Sequence, residues 1–490
     1  MNAYENSNLY CVFFFVFASC SSIPPFDDNI DDVRQVSTRF SGDGIYDVLG
    51  YGYDITKEYL HPKSVRNPIL DIEKYKKDYE ARLVTGTPSW GGDKMYYGYS
   101  ALDYLKDMTV ETKAEALVGD TAKKSAFSGS ISGSSYFNTR YSYSSKYSFA
   151  SIDLVRNHKY IRINDEVSRL SDYLSVSFKE DVTRLSAMRL IEKYGTHVLT
   201  DFEIGGRYKL LFRSVIVNTS DKSIKKKAVA SGLKAIVNSI GLSVNLDRNV
   251  TTTEELALEN QHKELYVLFY GGSGTGLVYD LEKGLPTSID IGKWESSVNL
   301  SNANLTAINW EETYPIYDFI QDPQKKQDVK KAVEQYLLGA QIKVLELKPL
   351  FHMYSKRQKN DFYVYTKYEA DFLTGRWGDE CLGVDGYILT NPEQNSKPMH
   401  KLHSWRQKNT FYVFSKQEAD AIVAQWGDNY YGIDGYVLTQ YEPNTKPMYK
   451  LHSWRQENTF YVFNKQEADA IVAQWGDRYY GIDGYIYEAD

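Results

Sequence analysis

The sequence predicts an α+β protein in which a long strand bends at a glycine pair and a carboxy-terminal module consists of three β-β-α-β repeats. Apolar residues at helical spacing over 178–191 lead into a strand-like stretch that contains the pair Gly205-Gly206. A glycine pair inside a strand is costly unless the strand bends or another element packs closely there. The last third of the chain repeats itself every 49 residues, as Trp377, Trp426 and Trp475 show.

The amino terminus is predicted to be a lipoprotein-type signal peptide (1–20) followed by a tether (21–40). Its apolar run, residues 11–18, is too short to span a bilayer as a helix, and Phe17-Ala18-Ser19-Cys20 stands like a lipoprotein cleavage box. Cys20 is therefore the predicted lipidation site, and the predicted location is an outer-membrane lipoprotein or a secreted, vesicle-associated protein. Glu5 and the lack of Lys and Arg in the first ten residues leave a plain cleaved signal or a wrong start codon open.

Composition narrows the classes of function. The net charge is -7, from 57 Lys+Arg and 64 Asp+Glu, with no long basic block, so a nucleic-acid partner is disfavoured. The 42 tyrosines suit exposed strands and recognition surfaces better than a compact helical enzyme. If Cys20 is lipidated, Cys381 is the one cysteine left in the mature chain, and no intramolecular disulfide can form.

Residues 127–151 alternate between apolar and polar positions. One parity carries serine and charge, and the other carries Phe127, Ile131, Phe137, Tyr141, Tyr143, Tyr147 and Phe149. Alternation over this length is typical of a membrane-spanning β-hairpin, because each spanning strand needs roughly 10 residues. A half-buried strand pair on a soluble sheet has the same alternation, so both interpretations stay open.

Residues 222–247 change period along their length. A lysine-rich start and apolar residues at helical spacing over 229–240 predict an amphipathic helix. Alternation then predicts a strand at four apolar positions, Ile240, Leu242, Val244 and Leu246. The sequence does not decide between helix and strand here. Residues 265–270 predict a buried strand, and 294–347 are predicted to be mainly helical, with a helix from about Gln324 to Leu338.

The three repeats are predicted at 346–394, 395–443 and 444–490. Each is too small to bury its own apolar face, so the three should pack as a pseudo-threefold module. Four aromatic residues are candidates for stacking on sugars or on a protein receptor: Trp405, Trp454, Tyr431 and Tyr480. Packing in the core or between units is the alternative.

No enzyme, metal site or cofactor is predicted. The eight histidines are scattered, and the Gly-x-Ser-x-Gly, phosphate-loop and His-Glu-x-x-His motifs do not occur. His352 is out of register with His403 and His452, which are 49 residues apart. All three are interpreted as parts of the repeat framework.

The run Tyr194-Gly195-Thr196-His197 followed by Gly205-Gly206 resembles the signature of the membrane attack complex/perforin family, specifically bacterial members of the Bacteroidales type. Gly271-Gly272, Trp294-x-x-Ser297 and 315–317 support the resemblance, which covers roughly 41–345. It implies a bent antiparallel four-stranded sheet that opens at the glycine pair and two flanking helical clusters, around 127–151 and 222–247, that refold into transmembrane hairpins.

The same resemblance implies a homo-oligomeric ring on a target-cell membrane, because one chain supplies too few strands to close a ring in lipid. The expected function is that of a pore-forming, antibacterial toxin whose repeats bind a surface glycan or a protein receptor. The alternative is a non-lytic surface lipoprotein for adhesion or glycan binding.

Overall fold

The structure is a computed structural model that describes residues 46–111, 127, 129–132, 137, 139–246, 249–273, 277–284, 289 and 291–489. The predicted signal peptide, the tether and Cys20 lie outside these residues. Within the described part of the chain, no helix is long and apolar enough to cross a membrane.

The region before the repeats contains two sheets and ten helices among its described residues. The strands are β1 (Tyr51–Tyr53), β2 (Val65–Pro68), β3 (Leu83–Gly86), β4 (Asp93–Gly98), β5 (Tyr147–Ile163), β6 (His197–Val198), β7 (Asp201–Val215), β8 (Gln261–Tyr270), β9 (Leu277–Asp280), β10 (Asn304–Ile308) and β11 (Tyr314–Pro315). The helices are α1 (Ile72–Tyr79), α2 (Ala101–Glu111), α3 (Gly129–Ser132), α4 (Val167–Leu170), α5 (Val176–Arg184), α6 (Ala187–Tyr194), α7 (Lys222–Ser239), α8 (Glu254–Leu258), α9 (Ile291–Ser297) and α10 (Pro323–Gly339).

The central sheet has two halves that share the long strands β5 and β7. In one half the order is β4–β5–β7–β8, which is the predicted four-stranded antiparallel sheet, with β9 added beyond β8. In the other half β3 replaces β4 and β10 replaces β8. The partner of β7 changes at Gly205-Gly206, so the glycine pair marks the boundary between the halves.

Two long insertions leave the sheet at one end. The first, residues 99–146, joins β4 to β5, and the second, residues 216–260, joins β7 to β8. The ladders place the end of β4 beside the start of β5, and the end of β7 beside the starts of β5 and β8. Both insertions are therefore continuous with hairpins of the same sheet and start at the same end of its strands.

Of the two interpretations of 127–151, the strand pair on a soluble sheet does not hold for the described residues before Tyr147. Residues 129–132 form α3, Tyr141–Tyr143 form a 3-10 turn, and the strand begins only at Tyr147. The apolar side chains are nevertheless the inward ones, because Phe127, Ile131, Phe137 and Tyr143 are buried. Tertiary packing thus uses the apolar positions of the pattern without forming the strand that its period favours.

The second insertion resolves the ambiguity of 222–247. Residues 222–239 form α7, and the chain then runs extended along the edge of β4, where Leu246 bridges to Asp93. Over 240–246 the even positions are partly buried and the odd positions 241, 243 and 245 are exposed. The expectation of mainly helix over 294–347 is partly wrong, because β10 and β11 interrupt it, whereas α10 agrees with the helix predicted at 324–338.

The repeats form three β-β-α-β units, as expected. Their elements are β12 (Leu347–Ser355), β13 (Asn360–Val364), α11 (Lys367–Trp377), β14 (Glu380–Leu389), β15 (Ser396–Ser404), β16 (Asn409–Val413), α12 (Lys416–Trp426), β17 (Asn429–Leu438), β18 (Thr445–Ser453), β19 (Asn458–Val462), α13 (Lys465–Trp475) and β20 (Arg478–Glu488). Strands β14, β17 and β20 pair with one another in all three combinations. The shared core takes equivalent residues from each unit, namely Leu350, Met399 and Met448, Tyr363, Tyr412 and Tyr461, and Ile388, Val437 and Ile486.

His352 occupies the place that Lys401 and Lys450 occupy in the other units. Its ring nitrogens lie 2.9 Å from Asp361 Oδ1 and 3.1 Å from Asp385 Oδ2. Burial alone would lower the pKa of His352, but the two carboxylates outweigh burial and raise the pKa to about 9. His352 is therefore the cationic member of an ion-pair cluster, as the lysines are in units 2 and 3.

Candidate functional site: a latched bend and two packed insertions

The bend in the sheet depends on close approach at Gly205 and Gly206. A Cβ on Gly205 would lie 2.0 Å from the carbonyl oxygen of Arg156 on β5. Opposite the glycine pair, β5 carries one extra residue, because Asn157 pairs with Gly205 and Lys159 with Ile204. A bulge of this kind bends a strand and increases its twist, so both long strands bend at the same level.

A short helix closes over the bend. A Cβ on Gly206 would lie 2.6 Å from Val298 Cγ2 and 2.8 Å from Trp294 Cζ2, so only glycine admits this helix. Trp294 is buried, and its Nε1 donates a hydrogen bond of 3.0 Å to the carbonyl oxygen of Gly271. Gly271 and Gly272 both have positive φ, at 75° and 74°, which favours glycine. We call α9 together with Val298 the latch.

Ion pairs connect the latch to the edge strand. Arg156 donates from Nε to Glu295 Oε1 at 2.5 Å and from Nη1 to Asp93 Oδ1 at 3.1 Å. Asp93 in turn accepts a hydrogen bond from the backbone nitrogen of Asn245 at 2.8 Å. A single network therefore joins the latch, the bulged strand β5, strand β4 and the second insertion.

The signature residues join three segments beside the sheet. Tyr194 donates to Asp181 Oδ2 at 2.7 Å, and Gly195 has a φ of 78° at the end of α6, where a Cβ would lie 2.6 Å from a backbone atom of Tyr53. The Thr196 hydroxyl donates to the carbonyl oxygen of Tyr53 at 3.1 Å. His197 is buried in β6, which pairs with β1 and β11. These contacts fix where β7 begins; they do not assemble a reactive centre.

The two insertions cover opposite faces of the sheet. Helix α7 packs on the face of Tyr208, Leu210 and Phe212. Helix α2, α3 and the 3-10 turn pack on the face of Phe149, Leu211 and Tyr266. Lys226 of α7 reaches Asp103 at 3.5 Å and Asp107 at 3.4 Å on α2, so ion pairs link the two insertions.

These features are those of a known family, because the sequence pattern of the MAC/Perforin domain matches residues 40–344, more than half of the chain. The chain belongs to the MAC/Perforin family. A second pattern, a domain of unknown function (DUF5648), matches residues 345–487. A search of curated proteins gives no match.

Two solved structures are similar to this MAC/Perforin protein. One is a MAC/Perforin-domain protein from Bacteroides thetaiotaomicron VPI-5482, at 16% identity over 79% of this chain and 75% of that chain, with a TM-score of 0.47. The other is GNIP1Aa from Chromobacterium piscinae, at 15% identity over 72% of this chain and 65% of that chain, with a TM-score of 0.43. The match over residues 40–344 confirms the family prediction, and the bent antiparallel sheet with its flanking helices confirms the fold class.

One face of the MAC/Perforin sheet carries buried charges that the sequence analysis missed. Arg207, Lys209 and Arg213 alternate along β7 and are all buried on this face. Arg207 lies 3.4 Å from Asp153 and stacks on Tyr270 at 4.2 Å. Burial alone would lower the pKa of Arg207, and the Asp153 carboxylate outweighs it, so the pKa is raised. In the sequence, the basic residues at 207, 209 and 213 share one parity of a strand, and this pattern could have predicted charges on one face of β7.

The repeat module contacts the last residues of the first insertion, 140–146. Arg140 donates from both Nη atoms to the Glu393 carboxylate at 3.0 and 2.9 Å. Lys146, which is buried, donates to the carbonyl oxygens of Ala489 at 2.7 Å and Glu488 at 3.3 Å. Tyr141 stacks on Tyr487 with ring centroids 5.3 Å apart. We call these contacts of 140–146 with the module the clasp, and nothing in the local sequence announced them.

The aromatic candidates of the repeats are exposed: Trp405, Trp454, Tyr431 and Tyr480. They lie in the turns after β15 and β18 and at the starts of β17 and β20. The contact with the MAC/Perforin sheet uses the opposite ends of the repeat strands, through Leu347, Leu389 and Leu438. The candidate binding residues are therefore separate from the bend, the latch and the clasp.

Proposed function

We propose that this chain is a non-enzymatic, pore-forming protein that oligomerises on a target membrane and inserts residues 99–146 and 216–260 as β-hairpins. The observation that carries the proposal is that both insertions are continuous with hairpins of one sheet and start at one end of it. Each has more than twice the roughly 10 residues that a spanning strand needs.

The register of β4 and β5 supports this refolding for the first insertion. Gly98 pairs with Phe149 and Tyr96 with Ser151, so the same ladder continued outward pairs Tyr104 with Tyr143. The paired positions then lie on one face, since directly opposite residues of an antiparallel ladder share a face. That face collects Leu102, Tyr104, Met108, Tyr143, Tyr147 and Phe149, with Lys106 as its one charged residue, and the other collects Asp103, Asp107, Arg140, Ser142 and Ser144 together with Tyr99, Ala101 and Leu105.

The extended hairpin also exchanges ion-pair partners. In the closed structure Asp107 pairs with Lys226 and Arg140 pairs with Glu393. The continued register places Asp107 directly opposite Arg140, and opposite charges across a ladder stabilise it. The two charges that lose partners on opening thus find each other on the polar face.

Ring assembly follows from the physics of lipid. One chain contributes four hairpin strands, which leaves open edges that lipid does not tolerate, so identical subunits must close a ring through a head-to-tail contact. We further propose a lipoprotein signal with Cys20 lipidated, a surface, secreted or vesicle-associated location and an antibacterial target.

The test is a reversible lock on the first insertion. In the mature chain, which keeps the lipidated Cys20 and carries Cys381→Ser, Tyr141→Cys and Tyr487→Cys are joined by a short reducible methanethiosulfonate cross-linker. Dye release from liposomes and from sensitive bacterial cells is measured before and after reduction. The control pair is Tyr449→Cys with Tyr479→Cys, whose rings lie 6.2 Å apart within the third repeat and outside the apolar cluster that contains the first insertion.

We expect release that the lock abolishes, that reduction restores and that the control cross-link leaves unchanged. Release that persists with the lock in place contradicts insertion through residues 99–146. Absence of release by the unlocked protein from every liposome and every cell type supports the non-lytic surface lipoprotein instead.

A further inference from the structure

Units 2 and 3 of the repeat module carry the same cluster of exposed rings. Trp405 is 63% exposed and Trp454 is 62% exposed, more than any other tryptophan among the described residues. Each ring is fixed edge-to-face against a histidine, Trp405 on His403 at 4.6 Å and Trp454 on His452 at 4.5 Å. A large ring that is held in one orientation and left in water is prepared for contact with a ligand.

Strand bulges place a tyrosine beside each cluster. On β17 the ladder pairs Leu402 with Tyr430 and then Lys401 with Gly432, so Tyr431 is the extra residue of a bulge. The ladder of β18 and β20 has the same irregularity at Tyr480. Bulges turn a side chain away from its strand, and the Tyr480 ring lies 6.5 Å from His452. In unit 3 the tyrosine, the histidine and Trp454 therefore form a row of rings.

Fixed polar groups lie next to these rings. Arg406 stacks on Trp426 at 4.5 Å and reaches the buried Asp428 at 3.4 Å. The equivalent Arg455 stacks on Trp475 at 4.4 Å and reaches Asp477 at 3.4 Å. The guanidinium groups keep free donors because each aspartate occupies only part of the fork. Apolar ring faces thus alternate with hydrogen-bonding groups over a short distance.

We propose that units 2 and 3 each bind a sugar residue of a surface polysaccharide, with the apolar face of a pyranose ring on Trp405 or Trp454. The sugar hydroxyls then bond to the neighbouring tyrosine hydroxyl and arginine. A pyranose presents a flat C–H face with a rim of hydroxyls, which matches rings that alternate with polar groups. A lipid surface or a protein core patch would match a continuous apolar surface better. This inference deepens the proposed function and names its surface partner.

Two equivalent sites on one chain favour a polymer with repeating sugars. Binding at the second site becomes intramolecular once the first is occupied, which raises the affinity without a new contact. The sites lie at the ends of the repeat strands away from the MAC/Perforin sheet, so a bound polysaccharide leaves the latch and the insertions uncovered.

Unit 1 supplies the matched control. The positions of Trp405 and Tyr431 are taken there by Lys356 and Leu382, and Tyr354 replaces the histidine. The variant Trp405→Ala with Trp454→Ala removes both stacking rings, and Lys356→Ala with Leu382→Ala makes equally exposed changes in unit 1. All four side chains are exposed, so folding should survive, as melting curves would verify.

The full chain and both variants are applied to an array of bacterial capsular, O-antigen and host glycans. We expect the wild type and the unit 1 variant to bind the same glycans, and the double tryptophan variant to lose at least tenfold in signal. Each single tryptophan variant should keep weak binding to polymers. A blank array for the wild type, or equal binding by the double tryptophan variant, overturns the proposal.

Vesicles of phosphatidylethanolamine and phosphatidylglycerol without glycans separate sugar from lipid. Vesicle binding that the double tryptophan variant loses would assign these rings to lipid and overturn the sugar sites. Failure of this inference is distinct from failure of the proposed function. Lock-dependent dye release with a blank array refutes the sugar sites alone, and array binding without any dye release refutes the pore alone.

Discussion

Lys146→Met tests whether the repeat module restrains the first insertion. Lys146 is buried and donates to two carbonyl oxygens of the module and to the Tyr141 hydroxyl at 2.9 Å. Methionine fills similar space but donates nothing, so the two carbonyl groups lose their charged donor. Hydrogen bonds to charged groups contribute about 1.5–3 kcal/mol each and do not add fully, which gives a loss of about 2–4 kcal/mol from the closed state.

The refolded hairpin does not make these contacts, so the substitution destabilises only the closed state, in which the first insertion packs against the sheet and the module. Opening should become about 30- to 1,000-fold more frequent, since about 1.4 kcal/mol corresponds to a factor of ten. Hydrogen exchange of peptides that cover 139–147 should accelerate by that factor, and dye release should start sooner. The control is Lys416→Met, which removes a cation paired with Asp420 on the exposed surface of α12.

The rate of hydrogen exchange along β7 shows whether Lys146→Met affects the first insertion alone or the whole fold. Faster exchange that is confined to the first insertion supports a clasp that opposes opening. Unchanged exchange over 139–147, or slower dye release despite faster exchange, refutes the reasoning. Acceleration to the same degree along β7 also refutes it, because the lysine would then stabilise the whole fold rather than one state of the insertion.

Three further predictions concern the latch, the hairpin register and the repeats. Gly206→Ala places a Cβ against the latch and should destabilise it by about 1–3 kcal/mol, seen as faster hydrogen exchange of α9, whereas Gly339→Ala, which meets open space, should not; equal exchange in both variants contradicts the close packing. Asp107→Arg and Arg140→Asp each remove one ion pair of the closed structure as well as the pair that the hairpin would share, so the double variant should release dye faster than the two single effects added together; purely additive effects sink the continued register. Because the raised pKa of His352 is about 9, its ion pairs stabilise the fold fully below pH 6.5 and lose their effect as pH rises through 9. The free energy of unfolding measured in urea should therefore fall by up to about 3 kcal/mol over that range, and His352→Gln should remove this dependence on pH. An equal pH dependence in the variant would show that the cluster does not titrate as described.

Sequence patterns predicted those elements for which the local preference of the residues and the tertiary packing favour the same structure. The repeat units followed from a 49-residue period, and each unit has the expected β-β-α-β order. The bend was predicted from a glycine pair, because few other features explain two glycines in a long strand. The latch could not be predicted, since what fits against Gly206 is a helix about ninety residues later in the chain.

The clasp was beyond sequence reasoning for the same physical reason. Arg140 and Lys146 stand in a serine-rich stretch with no helical or charge pattern, and their partners belong to another domain more than 200 residues away. Such contacts depend on how two folded units pack, and a single sequence carries no local trace of that packing. The exposed rings of units 2 and 3 were visible in the sequence, but their separation from core residues required the structure.

The failure of the strand prediction over 127–143 is itself informative about mechanism. In the closed structure α3 and a 3-10 turn take the place of the strand that the alternation favours, and the apolar Ile131, Phe137 and Tyr143 pack in one cluster with the sheet and the module. A pattern of period two gives no local support to helix, so the closed conformation of this segment depends on tertiary contacts such as the clasp. Local preference and tertiary packing therefore favour different structures for the same residues. When the packing is lost, the local preference for strand is unopposed, and the ladder of β4 and β5 can extend in the same register. The conflict between pattern and structure is what a segment that refolds into a hairpin requires.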